Sequence, residues 1–284
     1  MLKINDHTYG IDFDRSQTGT WQYSDRMSNP PLILQVWNSN FYAQKYFLKN
    51  YGVEVATRKF FKYLLGGRSI IRVKLLEVSD GGYENMQYLF GLSNMKVSAL
   101  QSWDIDLAKL HQLVESPLKE LRFRVSDPSD FENPIARTAE TILILHYGYN
   151  DPDIWLETHR NLPNKEVVVD TIIPGLTDIS IMELIEYWSG NRKAVGSSFS
   201  VLKPHGYPIE MFLRKAKERF QGTYVKLKET AESKVTKINV VSIDVDSESK
   251  IFVYGGKSEY GPQLVPKIVI EMMPVGSSEE ISEP

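Results

Sequence analysis

The chain has 284 residues, of which 42% are hydrophobic and 24% charged, with a formal net charge of −3 and a pI near 6.0. This is the composition of a globular protein with a buried core, and its charge offers no bulk attraction to nucleic acid or to an anionic membrane. There is no cysteine, which excludes disulfide scaffolds, thiol catalysis and cysteine-ligated metal centres. No apolar run approaches the ~20 residues of a membrane span, and Met1-Leu-Lys-Ile-Asn-Asp-His7 lacks the apolar stretch of a signal peptide. The expectation is an intracellular protein, in cytoplasm or nucleus, with no nucleic-acid or membrane partner.

Taken in chain order, residues 1–50 read as a β-rich lead-in. Leu2 to Ile4, Tyr9 to Phe13 and Leu32 to Trp37 are strand-like, separated by a polar connection through Pro30-Pro31, as in a hairpin. From Val53 the pattern changes. Val55, Lys59 to Phe61 and Leu64 recur at helical spacing, Gly66-Gly67 can supply the positive φ that stops a helix, and Ile71, Val73 and Leu75 then alternate with Arg72 and Lys74. Strand-like centres follow at Val73, Val97, Leu121, Leu143 and Val168, spaced 22 to 25 residues apart. Between them Asp104 to Val114, Pro134 to Glu140 and Asp151 to Arg160 read as helical or turn-rich pieces.

A unit of ~20–29 residues with one strand and one helix or short turn is the leucine-rich-repeat class of solenoid. Such a unit cannot bury its apolar face alone, so neighbours stack into a curved parallel sheet backed by helices. The predicted fold is therefore α/β: a divergent leucine-rich-repeat-like curved sheet over residues 51–190, followed by an α+β hairpin region over 191–275. Leu121, Phe123 and Val125 face the core while Glu120, Arg122 and Arg124 face out, and Thr141-Ile-Leu-Ile-Leu145 suits a strand covered on both faces. A long amphipathic helix is expected over Asp178 to Trp188, with Asp178 as N-cap and Gly190-Asn191 as its stop. After it come a strand over Gly196 to Leu202, a turn through Lys203-Pro-His-Gly-Tyr-Pro208 and a basic helix from Pro208 to Phe220. Val235 to Val245 and Ile251 to Tyr254 flank the turn Asp246–Lys250 as a hairpin, and Pro266 to Met272 forms one more strand. Residues 1–275 are thus expected as a single elongated domain, with 276–284 a disordered acidic tail.

Catalytic chemistry finds no constellation. Gly66-Gly67-Arg68-Ser69 follows a helix and precedes a strand, the reverse of the order that points amides at phosphate, and it has no Walker lysine. His146, Asp151, Asp153 and His159 lack a ligand spacing such as His-Glu-x-x-His and read as surface loop residues. Gly196-Ser-Ser-Phe-Ser200 is not a nucleophile elbow and reads as a strand with hydroxyls on its polar face. His111 and His205 have no recognisable partner, and Arg214, Lys215, Lys217 and Arg219 read as a solvated helix face. No catalytic, cofactor-binding or metal-ligating residue is assigned. The candidate partner-binding residues are Arg72, Lys74, Arg122 and Arg124, which would project from the open face of a stacked sheet where partners of repeat proteins dock.

The run Phe60-Phe-Lys-Tyr-Leu-Leu-Gly-Gly-Arg-Ser-Ile-Ile-Arg-Val-Lys74, then Ser116-Pro-Leu-Lys-Glu-Leu121, a helix ending in Trp188 and the hairpin from Val240 to Tyr254 are carried in one order and spacing. In these the chain resembles the nematode F-box C family, in the region of unknown function that follows the F-box. The resemblance implies a substrate receptor of a cullin-RING ubiquitin ligase, in which a small helical F-box docks on the Skp adaptor and the following domain selects targets. The segment Met1 to Tyr9 resembles the first strand of that following region, and no helical F-box is expected ahead of it within this chain. Skp adaptor and cullin are therefore expected partners only if an F-box lies upstream, and an unknown target protein is expected in either case. The leading expectation is a non-enzymatic protein-recognition domain without cofactor. The alternatives are an enzyme whose site assembles from distant residues, or a self-associating or competing scaffold with no ligase link.

Overall fold

The computed structural model describes residues 2–4, 7–13, 32–38, 41–47, 55, 59, 62, 71–78, 95–102, 107–110, 114, 117–125, 127–147, 152–170, 177–227, 239–258 and 265–280. The architecture is mixed α/β. The chain divides into two compact units, Met1–Arg122 and Phe123–Pro284.

In the first unit the strands are β1 (Leu2–Ile4), β2 (His7–Phe13), β3 (Leu32–Asn38), β4 (Phe41–Phe47), β5 (Ile71–Val78) and β6 (Met95–Ser102), in the order β4-β3-β2-β1-β5-β6. The lead-in is antiparallel as expected, β1 pairing with both β2 and β5. Strand β4 has no counterpart in the sequence reading; Gln44 and Lys45 interrupt its aromatic residues and blur the strand pattern. The only parallel pair described in this unit is β5 with β6, in the register Ile71↔Met95, Arg72↔Lys96 and Val73↔Val97. Val55, Lys59 and Lys62 are helical, in agreement with the spacing read there, whereas Gly66-Gly67 and Arg68 lie outside the described residues. Of the piece from Asp104 to Val114, read as helical or turn-rich, the described residues give a short 3-10 turn, η1 (Leu107–Leu110), and Val114, which bridges to Val97.

Strand β7 (Glu120–Val125) alternates as its sequence requires, with Leu121, Phe123 and Val125 buried. The second unit then carries η2 (Pro128–Glu132), α1 (Pro134–Thr138), β8 (Thr141–Tyr147), α2 (Pro152–Arg160), β9 (Glu166–Val169), α3 (Asp178–Asn191), β10 (Ser198–Leu202) and α4 (Ile209–Phe220). It closes with β11 (Thr223–Leu227), β12 (Val240–Asp244), β13 (Ser249–Ser258), β14 (Val265–Pro274) and β15 (Ser278–Glu280). Its strand order is β7-β8-β9-β10-β14-β13-β12-β11-β15. Strands β8, β9 and β10 are parallel to one another, and from β10 onward every pair is antiparallel. Parallel strands need a crossover and antiparallel ones only a turn, so α2 and α3 separate the parallel strands while the turn at Asp246 joins β12 to β13. The Asp246 carboxylate accepts from the Glu248 and Ser249 amides, both at 2.8 Å, which fixes that turn.

Local chemistry explains the helix ends. Asp127 and Asp130 form a reciprocal capping box at η2, and the Asn133 side chain caps α1 by accepting from the Ile135 amide. The N-cap of α3 is Thr177, whose hydroxyl accepts from the Ser180 amide at 3.1 Å. Asp178, expected in that role, sits one residue further in and is used elsewhere. The same helix continues through Gly190 and Asn191 and stops at Arg192, which takes the left-handed conformation at φ 50°. Helix α4 packs close on β13: a Cβ on Gly255 would stand 2.8 Å from Ile209 Cγ2, so glycine permits this approach.

The hairpin β12–β13 and the strand β14 form within the ranges the sequence predicts, and residues 235–238 of the predicted first hairpin strand lie outside the described residues. Strand β11 was not anticipated, and neither was β15. Ser278–Glu280 fall in the segment expected to be a disordered tail, yet they pair with β11 in the register Leu227↔Ser278, Lys226↔Glu279 and Val225↔Glu280. Among the described residues, no helix is long and apolar enough to cross a membrane.

Candidate functional site

The predicted partner-binding residues fall on strands that treat them differently. On β5, Ile71 and Val73 are buried, at 7% and 1% exposure, while Arg72 and Lys74 are exposed. Parallel register places Lys96 of β6 beside Arg72, and Lys96 and Ser98 are also exposed. Alternate residues of a strand share a face, so Arg72, Lys74, Lys96 and Ser98 make one outward stripe. Sequence reasoning missed Lys96 because its own strand carries Met95-Lys-Val-Ser-Ala-Leu-Gln-Ser102, in which only one charge marks the outer face. The stripe is short. Leu76 and Leu100, on that same face and opposite each other, are both 0% exposed, so the face is open at the amino end of the pair and covered at the carboxyl end. The expected burial of Leu75 is only partial, and Leu76 takes the core position.

Arg122 departs from expectation. It is half-buried rather than projecting, and its Nε donates to the Glu120 carboxylate two residues away on the same face of β7. Neighbouring positions i and i+2 of a strand suit such a pair. Arg124 is exposed as predicted.

The residues set aside as surface loop separate likewise. Asp153 is exposed near the start of α2, but His159 is 2% exposed and occupies an aromatic core. Its ring stacks on Trp155 at 5.8 Å between centroids and meets Phe199 of β10 at 5.2 Å and Phe131 at 6.0 Å, both edge-on. Phe131 in turn meets Phe123 and Trp155 edge-on. Burial in this cluster lowers the His159 pKa to about 3, so the ring is neutral at physiological pH. His159 was misread because His and Trp155 stand four residues apart on α2, one face of a helix, and a polar sequence neighbourhood of Glu157 and Arg160 masked that face. Asp151 and the side chain of His146 lie outside the described residues, as does His111. Among the described residues no group of three or more His, Asp or Glu is placed to hold a metal ion. Ser200, read as lying on a polar face, is 1% exposed, and His205 is exposed.

A second cluster was not foreseen. Lys203, directly after β10, is 6% exposed, and its Nζ donates to Asp178 Oδ1 at 3.3 Å. The Tyr207 hydroxyl donates to the same oxygen at 2.5 Å, and Lys203 Nζ also stands 4.8 Å from the Tyr207 ring centroid. The three side chains tie the first turn of α3 to the turn that launches α4. Burial lowers the Lys203 pKa, against the opposing attraction of Asp178, and burial together with Asp178 raises that of Tyr207. Tyr207 borders a cleft of about 840 Å³ whose walls include Ile209, Met211 and Arg214 of α4, Tyr224 of β11 and Lys257 of β13. The cleft joins apolar and aromatic surface to two cations, Arg214 and Lys257, and to one carboxylate, Glu210, a lining that mixes apolar area with a few polar groups as binding clefts do. The one hint in the sequence was the Pro/Gly-rich turn Lys203–Pro208 between a strand and a helix. Of the basic run on α4, Arg214 and Lys215 are exposed, Lys217 lies over the Tyr224 ring at 4.5 Å, and Arg219 pairs with Glu186 at 2.6 Å.

No curated protein matches the chain. Residues 52–202, just over half its length and a span that ends on the last residue of β10, match a family model described as a domain of unknown function (DUF3557), and the chain belongs to that family.

Proposed function

We propose that this protein is a non-enzymatic recognition domain, similar to the target-selecting region of an F-box protein, that holds an acidic protein partner on the β5–β6 face. The observation carrying this reading is the exposed stripe Arg72, Lys74 and Lys96, set in register on a parallel pair whose other face is core. Cations held on a rigid strand surface steer and orient an acidic partner. A divergent leucine-rich-repeat arrangement goes with this reading. It draws support from strands at the five predicted centres and from the parallel pairs β5–β6, β8–β9 and β9–β10, the product of repeated strand-and-crossover units. In this proposal the protein acts inside the cell, uses no cofactor, and reaches the Skp adaptor and cullin only when an F-box is joined to the same chain.

The test is a paired charge reversal, Arg72→Glu with Lys74→Glu, in the full chain. Proteins co-purified with the wild type and the variant are compared by quantitative mass spectrometry beside thermal melts of both. Loss of specific partners at an unchanged Tm is the expected result. An unaltered partner set overturns the proposal, and a fall of many degrees in Tm would mean that the two side chains are packed. The enzyme reading has one observation in its favour, the buried Lys203, which meets the Tyr207 ring that borders the cleft. It predicts saturable modification of Lys203 by small reactive carbonyl compounds with borohydride trapping, which the recognition reading does not.

A further inference from the structure

We propose that β15 occupies a strand-addition site, and that the edge of β11 beneath it receives an acidic extended segment of a partner protein. The site lies in the second unit and stands independently of the β5–β6 reading. Strand β15 is three residues long and, among the described residues, is the outermost strand of its sheet and pairs on one side only, with β11. It covers Val225–Leu227 of β11, a five-residue strand whose sequence continues to Thr223 and Tyr224. A three-residue edge strand has few ladder hydrogen bonds to lose, and a sheet edge offers a peptide its backbone hydrogen bonds. The residues of β15 show the chemistry of the occupant. Glu279 is the register partner of Lys226, both are exposed, and directly opposed residues of an antiparallel pair share a face. Lys226 lies on the face of β11 that carries Tyr224, while Val225 points to the opposite face, into the apolar cluster of Val240, Phe252, Tyr254 and Val269. A bound segment running antiparallel to β11 and longer than β15 therefore passes Tyr224. There the cleft presents Arg214 and Lys257 as further cations, outnumbering its one carboxylate, Glu210, and Met211, 41% exposed, as an apolar contact. An acidic strand followed by an apolar residue fits this succession.

The probe is a fluorescein-labelled synthetic peptide of residues 276–284, titrated by fluorescence polarisation. Its targets are the full chain, the full-chain variant Glu279→Lys and a chain shortened after Gly276, each checked for a cooperative thermal melt. Expected are weak binding to the full chain, at least ~5-fold tighter binding to Glu279→Lys, where like charges oppose across the pair, and tighter still to the shortened chain. Adding Lys226→Glu to Glu279→Lys should return binding to the full-chain level or below. Equal affinities for the full chain and Glu279→Lys overturn the proposal whether or not the shortened chain folds. A concentration-dependent dimer of the variant that does not take up peptide overturns it in favour of strand exchange between copies.

Discussion

The β5–β6 pair of the first unit and the β8–β9 pair of the second are both parallel, yet they meet water in opposite ways. Along β5 buried Ile71 and Val73 alternate with exposed Arg72 and Lys74, whereas Ile142, Leu143, Ile144 and Leu145 of β8 are all buried. On β9, Val167, Val168 and Val169 are buried as well. Parallel pairing by itself does not fix a strand's environment; the second covering layer does. In the second unit that layer includes α2, which brings Trp155 and His159 against Phe131 and Phe199. The enclosed pair is thus buried on both faces, and the half-open pair retains charged positions that meet water.

This contrast can be broken most sharply by putting the same side chain into both strands. Ile144→Asp on β8 buries a carboxylate at a site of 0% exposure, and a loss of more than ~4 kcal/mol is expected, read as failure to fold or as a collapse of the denaturant midpoint. Leu76→Ala tests where on β5 the cover begins. Leu76 is fully buried on the face that carries Arg72, so a loss of about 2–4 kcal/mol in urea unfolding is expected, with a value near zero showing that the whole face is open.

Protonation probes the enclosed region by itself. His159 titrates near 6.5 in the unfolded chain and at about 3 in the folded one, so between those values only the unfolded state carries the proton. Stability then falls as pH drops through that window, by up to about 1.4 kcal/mol per pH unit, and it is independent of this group above it. His159→Phe, which keeps an aromatic ring in the cluster, should flatten this dependence in a series of denaturation curves. An unchanged slope would show that carboxylates govern it. The smallest effect is expected on the open strand, where Arg72→Asp should change stability by no more than ~0.5 kcal/mol.

Much of this contrast is legible in residue order. Thr141-Ile-Leu-Ile-Leu145 is apolar at nearly every position and reads at once as a doubly covered strand, and Arg72 and Lys74 between aliphatic residues read as a half-exposed one. Other residues resisted reading because their neighbours in space are remote in sequence. Nothing beside Lys203 in the chain announces Asp178, 25 residues away, and nothing in Ser278-Glu-Glu280 announces a pairing with Val225–Leu227. Arg122 illustrates the intermediate case: alternation gave its face, but the Glu120 carboxylate decided its orientation.

By itself the sequence determined the mixed α/β class, most of the helices and strands from β5 onward, the apolar face of β5 and β7, and the apolar character of both faces of β8. These follow from backbone periods of two and 3.6 residues acting over a few neighbours. Tertiary structure alone decided that the open face of β5 closes at Leu76, that His159 is neutral and enclosed, that Lys203 and Tyr207 converge on Asp178, and that β15 lies on the edge of β11. Each of those depends on which distant surface covers a residue. Burial and charge pairing are properties of the packed assembly of elements, and local pattern carries no term for them.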